Sequence, residues 1–235
     1  MTALTSRAYE EELSALSQRV VQMGARCEEL IEMAIRALAE RDVGLAARVK
    51  EADRQIDRDE MEIDELAVKI LARRQPAARD LRFLVFALKV VTDLERIGDE
   101  AANMAGRAVQ LAQGTSSRGG PREESHPVPA LVPALQEMAA VTKDLVHQAL
   151  EAFVQRDEAL ARDVRERDDE VDAMYGDLLR ACQAFIRAHP DQVAVAMCLA
   201  STSKYLERIA DHATNIAEMV VYVTSGEDVR HPFKR

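Results

Sequence analysis

Residues 94–104 read LERIGDEAANM and residues 206–216 read LERIADHATNI, and this repetition restricts the fold more than any other feature of the chain. Glu95 matches Glu207, Arg96 matches Arg208, Asp99 matches Asp211 and Asn103 matches Asn215, all at an offset of 112 residues. Upstream, RDVGLAARVKEADRQID (41–57) aligns with RDEALARDVRERDDEVD (156–172) at an offset of 115. The three-residue difference is absorbed most cheaply at the connections near Pro76 and Pro190. A unit of this size occurring twice predicts two copies of one small domain. Between them, GTSSRGGPREESHPVP (114–129) has the composition of a flexible tether. The expected organisation is a first domain over 1–112, a linker over 113–129 and a second domain over 130–235.

Within each copy the apolar residues fall at seven-residue spacing, which specifies long helices packed nearly parallel or antiparallel. In the first copy the seams are Leu16, Met23, Leu30 and Ala37; Val49, Ile56, Ile63 and Ile70; and Phe83, Val90, Ile97, Met104 and Leu111. The second copy repeats them from Leu131, from Val164 and from Val195. Asp42 and Asp157 read as N-caps of the second helices, and Pro76 and Pro190 as starts of the third. Short connections force antiparallel neighbours. The fold class is therefore all-α: two homologous three-helix bundles, each up-down-up.

Charge narrows the function. A formal net charge of −10 argues against a nucleic-acid surface and against adsorption to anionic lipid. It leaves basic partners, or cations held by carboxylates. Cys27, Cys182 and Cys198 lie among apolar neighbours without CxxC spacing and read as reduced, buried thiols. The apolar runs at 83–88 and 193–200 are far too short to span a bilayer, so a soluble, cytoplasmic protein is expected.

Four acidic pairs at i,i+4 recur at matched positions: Asp53/Asp57 and Asp168/Asp172 on the second helices, Glu95/Asp99 and Glu207/Asp211 on the third. Each pair shares one helix face and repels itself. At about 100° per residue, Glu95 and Asp99 stand about 160° either side of Ile97, away from the core seam. Asp53 and Asp57 lie roughly 60–100° from Ile56, on its flank. The pairs can meet where the second and third helices adjoin, with Gly98 and Ala210 adding little bulk nearby. One such pair in a chain this acidic is usually a solvated face. Four at equivalent positions, flanked by matching Arg, Asn and small residues, favour a cation site. An all-oxygen set suits Mg²⁺, Mn²⁺ or iron. Asn103, Asn215 and His212 are candidate auxiliary ligands, and Arg96 and Arg208 candidate bridges to the Asp three residues on. Glu100 stands where the second copy has His212, so the two sites need not be identical. Ferritin-like di-metal catalysis would need Glu-x-x-His motifs pointing into a core. No other catalytic signature is present, so a non-enzyme is expected.

The segments TDLERIGDEAANMA (92–105), LERIADHATNIAEMVVYVTSGEDVRH (206–231) and RRQPAARDLRFL (73–84), with the Asp pairs at 53–57 and 168–172, resemble the PhoU family. The resemblance implies a doubled three-helix bundle that binds metal clusters through E/D-x-x-x-D motifs. It also implies a regulator that couples the ATPase subunit of a phosphate ABC transporter to a sensor histidine kinase, silencing phosphate-starvation genes when phosphate is plentiful. A homodimer is the expected assembly. The alternative is a metal-independent helical adaptor whose acidic face binds a basic partner.

Overall fold

The computed structural model describes residues 3–74, 76–114, 131–226 and 229. Six long helices account for nearly all of them: α1 (Ala3–Glu40), α2 (Val43–Arg74), α3 (Ala78–Gly114), α4 (Leu131–Gln155), α5 (Glu158–Ala188) and α6 (Val193–Ser225). A short 3-10 turn, Pro190–Gln192, leads into α6. The expected linker begins two residues late, because Gln113 and Gly114 finish α3; its remainder lies outside the described residues.

Both bundles are built the same way. Arg41 and Arg156, equivalent in the repeat, turn the chain with φ of 54° and 55°. The next residue caps the second helix: Asp42 Oδ1 accepts from the Leu45 amide, and Asp157 Oδ1 from those of Ala159 and Leu160. Gly226, at φ 77°, closes α6 by donating to the Tyr222 carbonyl. The expected seams form the core: Leu16, Met23, Val49, Ile56, Val90, Ile97, Met138, Val171 and Ile209 are wholly buried. Arg19–Glu62 and Arg74–Glu12 ion pairs run in opposite senses along α1 and α2, which fixes that pair as antiparallel. Cys27 and Cys182 are buried and Cys198 is half-buried, and all three are free thiols. Among the described residues no helix is long and apolar enough to cross a membrane.

The bundles pack together through α1 against α4 and α3 against α6, leaving α2 and α5 on the outside. One continuous apolar core runs through both. Leu150 of α4 fills the space over Gly24 of α1, where an added Cβ would collide with its Cδ1. Phe153 stacks on Phe83 (centroids 5.9 Å apart) and tilts against Phe86 (5.3 Å). Phe153→Ala removes these cross-bundle contacts and leaves a cavity, an expected cost of about 3–5 kcal/mol. Urea unfolding followed by circular dichroism measures it. Because the core is shared, both bundles should lose stability together in one transition.

Candidate functional site

The acidic pairs are placed by the seam beneath them. Ile56 on α2 and Ile97 on α3 are both fully buried, and α2 lies close enough that a Cβ on Gly98 would meet Asp53 Oδ1 and Ile56 Cδ1 at 3.0 Å each. Gly98 thus does more than spare bulk beside the carboxylates. Its missing side chain lets α2 approach α3, and Asp53 occupies the space. The groove brings together all four predicted carboxylates of the first copy. Burial, then the charges of Asp57 and Asp99, push the Asp53 carboxyl up from 3.8 to about 6. Burial and Asp99 likewise raise Glu95, with Glu60 and Asp57 adding to the effect.

Two further members were not among the predicted residues. Glu60 is raised by burial and by Asp64, Asp57 and Asp99, so it belongs to the same field of charge. Asp64 extends it by one more turn. Asp53, Asp57, Glu60 and Asp64 follow one another at helical spacing along one face of α2. The sequence signal was there, but Glu60 and Asp64 are matched by Tyr175 and Leu179 in the second copy, so the repeat did not single them out.

The second groove lies between α5 and α6. Burial, then Asp211 and Asp172, raise Asp168 to about 6. Burial and Glu207 raise Asp211. Lys204 also enters this groove: its Nζ donates to Glu207 Oε1 at 2.6 Å and stands 2.5 Å from Oε2. The ammonium lies 5.3 Å from the centre of the Tyr175 ring.

The carboxylates sit deeper than their helical angle suggested. Side-chain exposure is 18% for Glu95 and 13% for Glu207, against 43% for Asp99. They line a groove rather than an open face. The auxiliary ligands expected at Asn103, Asn215 and His212 are engaged elsewhere. His212 Nδ1 is 2.9 Å from Asp93 Oδ1 across the α3–α6 interface, and Asn215 donates to the same oxygen at 3.3 Å. Asn103 donates to Glu100 Oε2, three residues back on α3. The reason is angular: one residue beyond Asp211, His212 has turned about 100° toward the other bundle. The two arginines also differ. Arg96 bridges Glu95 and Asp99, whereas Arg208 reaches across to Glu100 at 2.8 Å, beside a carboxylate only 4% exposed.

Among the described residues no three His, Cys, Asp or Glu side chains are grouped to hold a metal ion as they stand. Their donor chemistry nevertheless fits one. Asp53 Oδ1 and Glu95 Oε2 are buried oxygens that accept no hydrogen bond, although Arg96 Nε is 3.2 Å from the latter. Such oxygens are costly unless a cation or donor satisfies them. Asp53, Asp57, Glu60, Glu95 and Asp99 would hold a hard cation in the first groove, and Asp168, Asp172, Glu207 and Asp211 in the second.

The raised carboxyls carry a pH signature in the metal-free protein. Each binds its proton more tightly folded than unfolded, so its contribution to stability is full below pH 3.8 and declines as pH rises to about 6. Asp53→Asn and Asp168→Asn abolish that decline. In chelator, both variants should melt at higher temperature than the parent at pH 7, with the gap closing toward pH 4. Thermal melts over that range check it.

Comparison with known proteins gives concordant matches. The model of the PhoU domain matches twice, over residues 20–108 and 135–220. The chain is 39% identical over 231 residues to a phosphate-specific transport system accessory protein PhoU homolog of Pseudomonas aeruginosa, covering 98% of this chain and 91% of the relative. A homolog of the same description from Aquifex aeolicus is 36% identical, covering 94% and 95%. The crystal structure of PhoU from Pseudomonas aeruginosa superposes with a TM-score of 0.82 at 38% identity, covering 93% of this chain and all of that one. The phosphate transport system regulatory protein PhoU from Streptococcus pneumoniae superposes at 0.79 with 26% identity, covering 94% and 99%.

Proposed function

The chain belongs to the PhoU family, and from that premise we propose that it is a metal-binding, non-catalytic regulator of phosphate uptake that acts in the cytoplasm. It couples the ATPase subunit of a phosphate ABC transporter to a sensor histidine kinase and holds phosphate-starvation genes silent when phosphate is abundant. The names of its relatives, accessory and regulatory proteins of phosphate transport, support the pathway. The observation that carries the metal half is the first groove's buried Asp53 Oδ1 and Glu95 Oε2, which accept no hydrogen bond, in a groove whose four carboxylates are matched in the second copy. Each groove is formed by an outer helix, α2 or α5, with the third helix of its own bundle, and neither outer helix packs on the other bundle. A cation there can alter what a partner meets without disturbing the shared core.

Each third helix adds an apolar contribution to that outer surface. Leu81 and Val85 on α3 are 43% and 45% exposed, and Val193 and Met197 on α6 are 42% and 56% exposed. These pairs are equivalent at the offset of 112, and each lies on the same side of its helix as the carboxylates. Exposed aliphatic pairs beside acidic grooves suit protein partners with basic, partly apolar docking segments. Homodimerisation would double the number of such surfaces.

The second reading, an adaptor without metal, has one observation in its favour: the Lys204 ammonium already satisfies Glu207. A partner's lysine could act in the same way. The two readings separate in one set of measurements. Glu95→Ala with Asp99→Ala should lower the metal content of the purified protein at unchanged helicity, because no seam residue is lost. Pull-down of the transporter ATPase subunit and the kinase should weaken in chelator. A strain lacking the protein should express phosphate-starvation genes in phosphate-rich medium. Unchanged metal content with partner binding intact would favour the adaptor; normal silencing in the deletion strain would remove the phosphate role.

A further inference from the structure

The two grooves share four matched carboxylates and differ in what stands beside them. In the first, Thr92 lies three residues before Glu95, and Glu60 and Asp64 add carboxylates from α2. In the second, Thr92 is replaced by Lys204, Glu60 by Tyr175 and Asp64 by Leu179. Two of the replacements act together. Lys204 Nζ lies 2.6 Å from Glu207 Oε1, and the Tyr175 ring flanks it at 5.3 Å from the centroid. At the rim, Asp169 stands exposed where the first copy has Arg54, which pairs with Glu51. The guanidinium matched in both copies behaves differently too. Arg96 stays with Glu95 and Asp99, while Arg208 is drawn to Glu100.

We infer that Lys204 is a built-in counter-ion occupying one cation position of the second groove, so that the first groove binds divalent cations first and more tightly. The inference rests on the reading that the grooves bind metal. Its physical basis is direct competition. A divalent ion that takes Glu207 as a ligand must displace an ammonium already in contact with both oxygens, and the displaced ammonium remains nearby as a like charge. The first groove holds no lysine in that position and offers Glu60 as one more oxygen donor. Arg96 is there instead, but it meets Glu95 Oε2 and Asp99 Oδ2 at 3.2 Å each, looser contacts than the 2.5 and 2.6 Å of Lys204 to the two Glu207 oxygens. The repeat thus carries one groove built for a cation from solution and one that holds a cation of its own.

Mn²⁺ titration of the metal-free full chain tests this, with free Mn²⁺ counted by electron paramagnetic resonance. The wild type should show two classes of site. Glu95→Gln with Asp99→Asn should remove the tighter class, and Glu207→Gln with Asp211→Asn the weaker. Lys204→Gln should tighten the weaker class roughly tenfold, the effect of removing one adjacent like charge. Thr92→Lys should weaken the tighter class by a similar factor. Equal affinity of the two grooves in the wild type, or an unchanged weaker class in Lys204→Gln, overturns the inference and leaves the metal reading standing. A wild type that binds no Mn²⁺ at millimolar concentration overturns both.

Discussion

Contact between Ile56 and the α3 backbone at Gly98 sets the spacing on which both the fold and the candidate site depend. Apolar burial along α2 and α3 is continuous: Val49, Ile56, Ile63 and Ile70 on one helix, Val90, Ile97 and Met104 on the other. A buried side chain of this size contributes about 1.5–3 kcal/mol. The sum holds the two helices together although six carboxylates along the groove repel one another. Burial first, and that repulsion after it, raise the carboxyls of Asp53, Glu60 and Glu95. The groove is a strained electrostatic arrangement carried by a stable hydrophobic one.

The same division of labour governs the pairing of bundles. Contacts across α1–α4 and α3–α6 run antiparallel, as an approximate two-fold axis between copies requires: Glu32 meets Lys143 while Glu28 meets His147, and Asp93 meets His212 while Glu100 meets Arg208. The helix pairing of this interface obeys the repeat. Its polar part does not, because under a two-fold axis a residue and its counterpart face different neighbours. Glu100 and His212 are counterparts, yet one takes an arginine and the other an aspartate. Divergence at such positions lets two similar bundles recognise each other in one orientation.

Much of this was legible in the sequence, for stated reasons. The seams, the caps at Asp42 and Asp157 and the six-helix order follow from spacing and local chemistry, which need no knowledge of distant neighbours. The depth of Glu95 was not legible. An angle of about 160° from Ile97 describes exposure when a helix buries one stripe, but α3 packs on α1, α2 and α6 together, so its buried arc is much wider. Glu60 and Lys204 escaped for the opposite reason. Searching for what the copies share identifies equivalent carboxylates and passes over residues in which the copies differ. His212 is a candidate auxiliary ligand because it neighbours Asp211, and Asn215 because it continues the stripe four residues on, while their partner Asp93 comes from the other bundle and leaves no periodic trace.

Conserving the seam while varying the groove has a consequence for how a cation could be felt elsewhere. Replacing a residue of the Ile56–Ile97 layer alters helix spacing and stability at once, because the interior is close-packed. Replacing Glu60 or Lys204 alters chiefly the local charge, since both stand outside that layer, whereas Tyr175 also packs against the core. A cation bridging α2 to α3 would turn the repulsion across the groove into attraction between the same helices, with no change in core packing. The outer helix would then be held more firmly against its neighbour at the surface, where the exposed Leu81 and Val85 also lie. A cation's effect and the fold's stability would thus be carried by different layers of the same pair of helices, and the repeat supplies two such pairs whose charge has been set differently.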